Sequence, residues 1–128
     1  MKIYLAGTYN QPEDEKRLRE MKTLLEKKNH QVWWCKDNLG NNYGKTDGKT
    51  RKWVVETEKE AIKKSDVVVA IANRATPGTM MEIIFASENK IPVFVLTENP
   101  VLTESPWVHY HAKIVGSENA LFALLGKA

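Results

Sequence analysis

The chain has a single cysteine, Cys35, among its 128 residues. That excludes an internal disulfide and any cysteine-rich zinc site, and it points to a reducing, cytoplasmic setting. Long apolar runs are also missing. Nothing approaches the roughly 18 to 20 residues that a membrane span requires, so no membrane partner is expected. Residues 1–7, Met-Lys-Ile-Tyr-Leu-Ala-Gly, are too short for a signal peptide and read as a first strand. Charge of one sign is equally scarce: 19 basic against 16 acidic residues leave a formal net charge of +3. Even the most basic stretch, residues 45–64, contains Asp47, Glu56, Glu58 and Glu60. Such interleaving makes a solvated surface rather than the basic face that a nucleic-acid polymer needs.

What is present suits one globular domain over residues 1–128. The chain is 42% hydrophobic and 27% charged, enough apolar content for a core without disulfide or metal support. Strand-like and helix-like segments alternate along it. Residues 2–6 are a short apolar run closed by Gly7. Over residues 13–28, Leu18, Met21, Leu24 and Leu25 form one apolar stripe on a polar helix, with Pro12 at its entry. Residues 31–35 suit a second strand. Residues 36–50 contain three glycines and three asparagines with almost no apolar content, and read as a surface loop able to fold over a site. A helix is expected over residues 51–64, carrying Val54, Glu58, Ala61 and Ile62 at helical spacing.

Residues 67–72, Val-Val-Val-Ala-Ile-Ala, show no polar alternation, as in a strand buried on both faces. A helix over 79–88, a strand over 91–96, a short strand over 113–115 and a helix over 117–125 capped by Gly126 complete the pattern. Five such alternations predict a Rossmann-like, flavodoxin-like α/β sandwich of three layers around a five-stranded parallel sheet. Ligands of such sheets bind at the carboxyl ends of the strands, so the segments to inspect are 7–12, 36–50, 73–78 and 97–107.

Several motifs compete for attention. Gly40…Gly44-Lys45-Thr46 and Gly44…Gly48-Lys49-Thr50 resemble phosphate loops, but each has three residues between its glycines where the motif needs four. The segment Gly78-Thr79-Met80-Met81-Glu82 follows the buried strand and supports two equal readings. Thr79 and Glu82 fit a capping box. Alternatively, Glu82 faces the ligand crevice as a nucleophile or base, its ionised form favoured by the helix dipole. Tyr4 alone reads as packing, although Gly7 and Thr8 beside it offer a tight turn. Glu58 lies in register with the apolar face of its helix. The three histidines carry no metal-ligand spacing: His109 and His111 are two apart and cannot share a helical face.

Together these pieces resemble the nucleoside 2-deoxyribosyltransferase family. The likeness rests on Ile3-Tyr4-Leu5-Ala6-Gly7, on Glu58 eight positions before Asp66, on Asp66-Val-Val-Val-Ala70, on Gly78-Thr-Met-Met-Glu82-Ile-Ile-Phe-Ala86 and on Ile91-Pro92-Val93. Members cleave the N-glycosidic bond of 2′-deoxynucleosides or their 5′-monophosphates without a cofactor. The resemblance implies that Glu82 is the nucleophile that carries the deoxyribosyl group as an ester, resolved by another base or by water. It implies that Tyr4 orients that carboxylate and that Glu58 protonates the departing base. Gly7 and Gly78 would line the sugar pocket. Thr8, Thr76 and Thr103 match hydroxyl positions of a phosphate site, with Thr103 supplied by a neighbouring subunit, so a homodimer or larger homo-oligomer is implied. Thr76 stands where the base-exchanging branch has an acid, which tilts the expectation toward 5′-monophosphates. A non-catalytic nucleotide-binding module on the same fold, with Glu82 only as a cap, stays open as the rival. A hydrolase of ribosylated dinucleotides ranks last.

Overall fold

A computed structural model of the chain describes residues 1–8 and 11–127. Five parallel strands make one sheet: β1 (Lys2–Gly7), β2 (Gln31–Trp34), β3 (Val67–Ile71), β4 (Val93–Leu96) and β5 (Lys113–Val115). Their spatial order is β2-β1-β3-β4-β5, with all four pairings parallel. This is the flavodoxin-like order, and it reverses direction between β1 and β3, where Gly7 pairs with Ile71 at the strand ends. The predicted sandwich is therefore the observed one.

Strand periodicity divides the core in two. On one face Ile3, Leu5, Val67, Val69 and Ile71 pack with Leu18, Met21 and Leu25 of α1 (Pro12–Lys27) and with Leu121 and Leu125 of the final helix (Glu118–Lys127). On the other, Tyr4, Ala6, Val68 and Ala70 pack with Ile62, Ile83, Ala86, Leu102 and Val108. All five residues of β3 are buried, as an unbroken apolar run requires of a central strand with helices on both sides. A tyrosine at an even position of β1 thus points to the second face, the one covered by the two helices that follow β2 and β3.

Several boundaries differ from the sequence reading. Residues 36–50 are not a plain loop. They contain α2 (Cys35–Leu39), a single 3-10 turn (Gly40–Gly44) and the start of α3 (Gly48–Lys63). Burial of Cys35 and Leu39 holds α2 down, a tertiary effect that composition does not register. Asp47 caps α3, its carboxylate accepting from the Thr50 amide at 2.9 Å, so an acid occupies the place a bound phosphate would take in a phosphate loop. The helix after β3, α4 (Pro77–Glu88), starts at Pro77, two residues earlier than the capping-box reading places it. Two short helices, α5 (Pro100–Thr103) and α6 (Pro106–His111), fill the segment expected as a loop after β4. The last helix, α7 (Glu118–Lys127), runs through Gly126 rather than ending there. No described helix is long and apolar enough to cross a membrane.

The strand end at Gly7 is the tightest point of the frame. Its φ is +154°, and a Cβ there would lie 2.6 Å from the Ile71 carbonyl and 2.9 Å from the Leu18 side chain. Only glycine lets β1 turn away at that distance from β3. Gly7→Ala is expected to destabilise the protein by about 2 to 4 kcal/mol, combining backbone strain with a steric clash. Urea unfolding of the two proteins, compared at equal m-value, measures it.

Candidate active site

Three elements deliver one oxygen-bearing group each to the second face of the sheet. Tyr4 comes from β1, Glu58 from the middle of α3 and Glu82 from the second turn of α4. The Tyr4 ring is 1% exposed and stacked on Trp33 of β2, with centroids 5.1 Å apart. This packing fixes where its hydroxyl can go. The hydroxyl lies 2.8 Å from Glu58 Oε2 and makes a second, very short contact with Glu82 Oε2. The sequence reading placed Glu58 close to the apolar face of its helix, and the family resemblance joined it to Tyr4 and Glu82 as the group that protonates the departing base. The structure brings all three into one cluster.

A phenol has one hydrogen and can donate to only one of two carboxyl groups at a time. Satisfying both contacts requires the other carboxyl to donate to Tyr4, so the cluster holds one carboxyl proton when fully bonded. Burial, then the neighbouring Glu58 carboxylate, pushes Glu82 up to about 8, against the opposing pull of the Tyr4 hydrogen bond. Burial also raises Glu58, with Tyr4 again opposing. The Tyr4 phenol is held far above its ordinary range by burial and both carboxylates, and it stays a neutral hydroxyl. Glu82 is therefore the group on which the proton rests. This reverses the expectation that the helix dipole keeps Glu82 ionised: the carboxyl lies beyond the first turn, where that field has faded, and desolvation wins. The capping box is likewise absent. Thr76 is the N-cap residue, Thr79 is buried inside the helix, and Glu82 is engaged with Tyr4.

Two hollows meet at Glu82. One, of about 450 Å³, lies at the strand ends between Gly7, Thr8, Cys35, Tyr43, Thr76 and Gly78. Across its mouth the Thr8 and Thr76 hydroxyls are 2.7 Å apart, and Thr76 donates onward to Thr79 at 3.2 Å. Gly7, Thr8, Thr76 and Gly78, four of the residues singled out in the sequence, line this one hollow, while Tyr9 and Asn10 of the same segment lie outside the described residues. Arg17 and Arg74 border Thr8 on its outer side. Arg17 donates to Asn73 at 2.7 Å, and Arg74 pairs with Asp14. The other hollow, of about 500 Å³, runs between α3 and α4 and is mainly apolar, with Val55, Ile62, Met81 and Phe85 in its walls beside Glu58.

Thr103 is not among the residues lining either hollow. It ends α5, and its backbone carbonyl meets the His109 ring nitrogen at 2.5 Å. The sequence reading missed Tyr43 and Cys35 as lining residues. A lone aromatic amid glycines and asparagines was the available signal for Tyr43; Cys35 gave none.

The fold and this carboxyl cluster define an α/β sandwich with a buried acid set between two hollows. Comparisons with known proteins narrow the class. The family model described as "Nucleoside 2-deoxyribosyltransferase" matches residues 3–116. The chain belongs to that family. It is similar in structure to a 2-deoxyribosyltransferase from the psychrotolerant bacterium Bacillus psychrosaccharolyticus, with a TM-score of 0.82 at 19% identity over 94% of this chain and 90% of that one. A conserved protein from Enterococcus faecalis gives a TM-score of 0.75 at 18% identity, covering 99% of this chain and 98% of that one. No curated protein sequence matches significantly.

A carboxyl whose folded pKa is raised stabilises the fold below its unfolded pKa, and that stability is lost as pH climbs to the folded value. For Glu82 the window runs from about 4.5 to about 8. Glu82→Gln removes this loss. Its melting temperature relative to the unmodified protein is expected to rise by a few degrees between about pH 5 and about pH 8. Calorimetry at the two pH values checks the sign.

Proposed function

We propose that the protein cleaves the N-glycosidic bond of a 2′-deoxynucleoside or its 5′-monophosphate without a cofactor, through an ester on Glu82. The observation that carries this reading is the Tyr4 hydroxyl shared between two carboxyl groups, of which Glu82 lines a sugar-sized hollow at the strand ends and Glu58 lines the adjoining one. Family membership supports it.

The chemistry follows from the proton count. At rest Glu82 holds the proton and Glu58 accepts from Tyr4. Exchange through the Tyr4 hydroxyl moves that proton to Glu58 and leaves Glu82 as a carboxylate. Glu82 then attacks the anomeric carbon, the electrons of the C–N bond pass to the base nitrogen, and Glu58 protonates that nitrogen. Water or a second base next displaces Glu82 and returns the incoming group's proton to Glu58. Two displacements give net retention at the sugar carbon.

Thr8 and Thr76 offer hydroxyls where the 5′ end of the sugar would lie, and beside Thr8 stand Arg17, held by the neutral Asn73, and Arg74, paired with Asp14. These features favour a 5′-phosphate over a free 5′-hydroxyl. For Thr103 the reading requires a second copy of the chain. The half-exposed apolar face of Val55, Met81 and Ile84 beside the site suits that copy, and a homodimer or larger assembly in the cytoplasm is part of the proposal.

Incubation with a panel of deoxynucleosides and their 5′-monophosphates, read by chromatography, tests the reaction. Free base is expected, and Glu82→Ala should lower its rate by about a thousandfold or more. Binding with the glycosidic bond left intact would support a nucleotide-binding module instead. The pH profile provides a second check. The carboxyl pair works while it holds one proton, so kcat/KM should fall on the alkaline side near 8, where Glu82 loses it. Glu58→Gln removes the residue that takes up and delivers this proton, so the alkaline fall should disappear from whatever activity remains.

A further inference from the structure

We propose that Tyr43 decides whether water or a second nucleobase resolves the ester, its ring walling off the reacting carboxyl between the two hollows. The inference rests on the reading that Glu82 carries a glycosyl group. Tyr43 stands in the 3-10 turn after α2, a segment no step above uses. Cys35 and Leu39 anchor this segment, and Gly40, at φ +58°, redirects the chain after them. The turn presents the Tyr43 ring to the site. Among the described residues, only Tyr43, Gly78 and Glu82 line both hollows. The Tyr43 hydroxyl lies 3.7 Å from where a Cβ on Gly78 would stand, an ordinary contact distance that sets the phenol against the first turn of α4.

The two resolving reactions are chemically alike. In one, a water oxygen bonds to the anomeric carbon, the C–O bond to Glu82 breaks with its electrons on the carboxylate, and the water proton passes to Glu58. In the other, a base nitrogen forms the bond and its N–H proton takes the same path. Glu58 serves both and cannot choose between them. A wall can. A planar base gains stacking area against the Tyr43 ring, whereas water gains none. Tyr43 is 43% exposed, so one part of the ring borders the site and another remains open to an arriving base. Burial, then Glu58, Cys35 and Glu82, pushes its phenol up to about 12, so it adds no charge that would draw water in.

The test gives the protein a deoxynucleotide donor at a fixed concentration of acceptor base. It measures free deoxyribose phosphate against transferred nucleotide. Tyr43→Ala should raise the ratio of hydrolysis to transfer by roughly tenfold, while the initial burst of donor base changes much less. Tyr43→Phe keeps the wall and should keep the unmodified ratio. Melting temperatures of both variants establish that each is folded. An unchanged ratio in folded Tyr43→Ala overturns the proposal, as does an unmodified protein that releases base but only hydrolyses. Absence of any base release overturns it together with the glycosidic reading, whereas the first two outcomes leave that reading standing.

Discussion

A single phenolic hydroxyl, on a ring buried between sheet and helices, touches two carboxyl groups that would otherwise repel each other. Two glutamates this close cannot both be ionised in a desolvated site without cost, and Tyr4 relieves the conflict by donating to one and accepting from the other. The rest of the architecture serves this contact. The stack of Trp33 on Tyr4 fixes the ring, the helical register of α3 aims Glu58, and the start of α4 at Pro77 sets the turn from which Glu82 projects. Each contributor belongs to a different element. The cluster therefore exists only once the sheet order β2-β1-β3 is formed.

The same desolvation that sets the proton on Glu82 makes the free site costly. A raised carboxyl pKa is a folding free energy given up at neutral pH, and the core on either face of β3 has to supply it. In the proposed reaction this conflict holds Glu82 in its less reactive form, next to the partner that would take its proton. A surface glutamate would be ionised already but would have to attack from within a shell of water.

Much of the frame was legible from residue order. The apolar run at Val67–Ile71, the stripe of Leu18, Met21 and Leu25, and the short run of β1 each carry a period that only one element satisfies. Tyr4, Glu58 and Glu82 could be paired before any coordinates because the family resemblance joins them. What resisted reading depends on tertiary contact. Helix α2 spans five residues, too few to form on propensity, and burial of Cys35 and Leu39 decides it. The Thr79–Glu82 spacing matched a capping box equally well, and the choice fell to Pro77 and to a tyrosine 78 positions away. The protonation of Glu82 was misjudged for the same reason: a field along one helix is local, but solvent exclusion is a property of everything packed around it.

Trp33 lies on β2, one of the two edge strands, in register with Tyr4. Side chains on a strand alternate between faces, so sliding this edge by one residue would carry the indole to the opposite side of the sheet. The prop beneath the phenol would vanish although no residue near the carboxyls had changed. Alignment of a peripheral ribbon thus governs the electrostatics of the two carboxyls through the ring it supports.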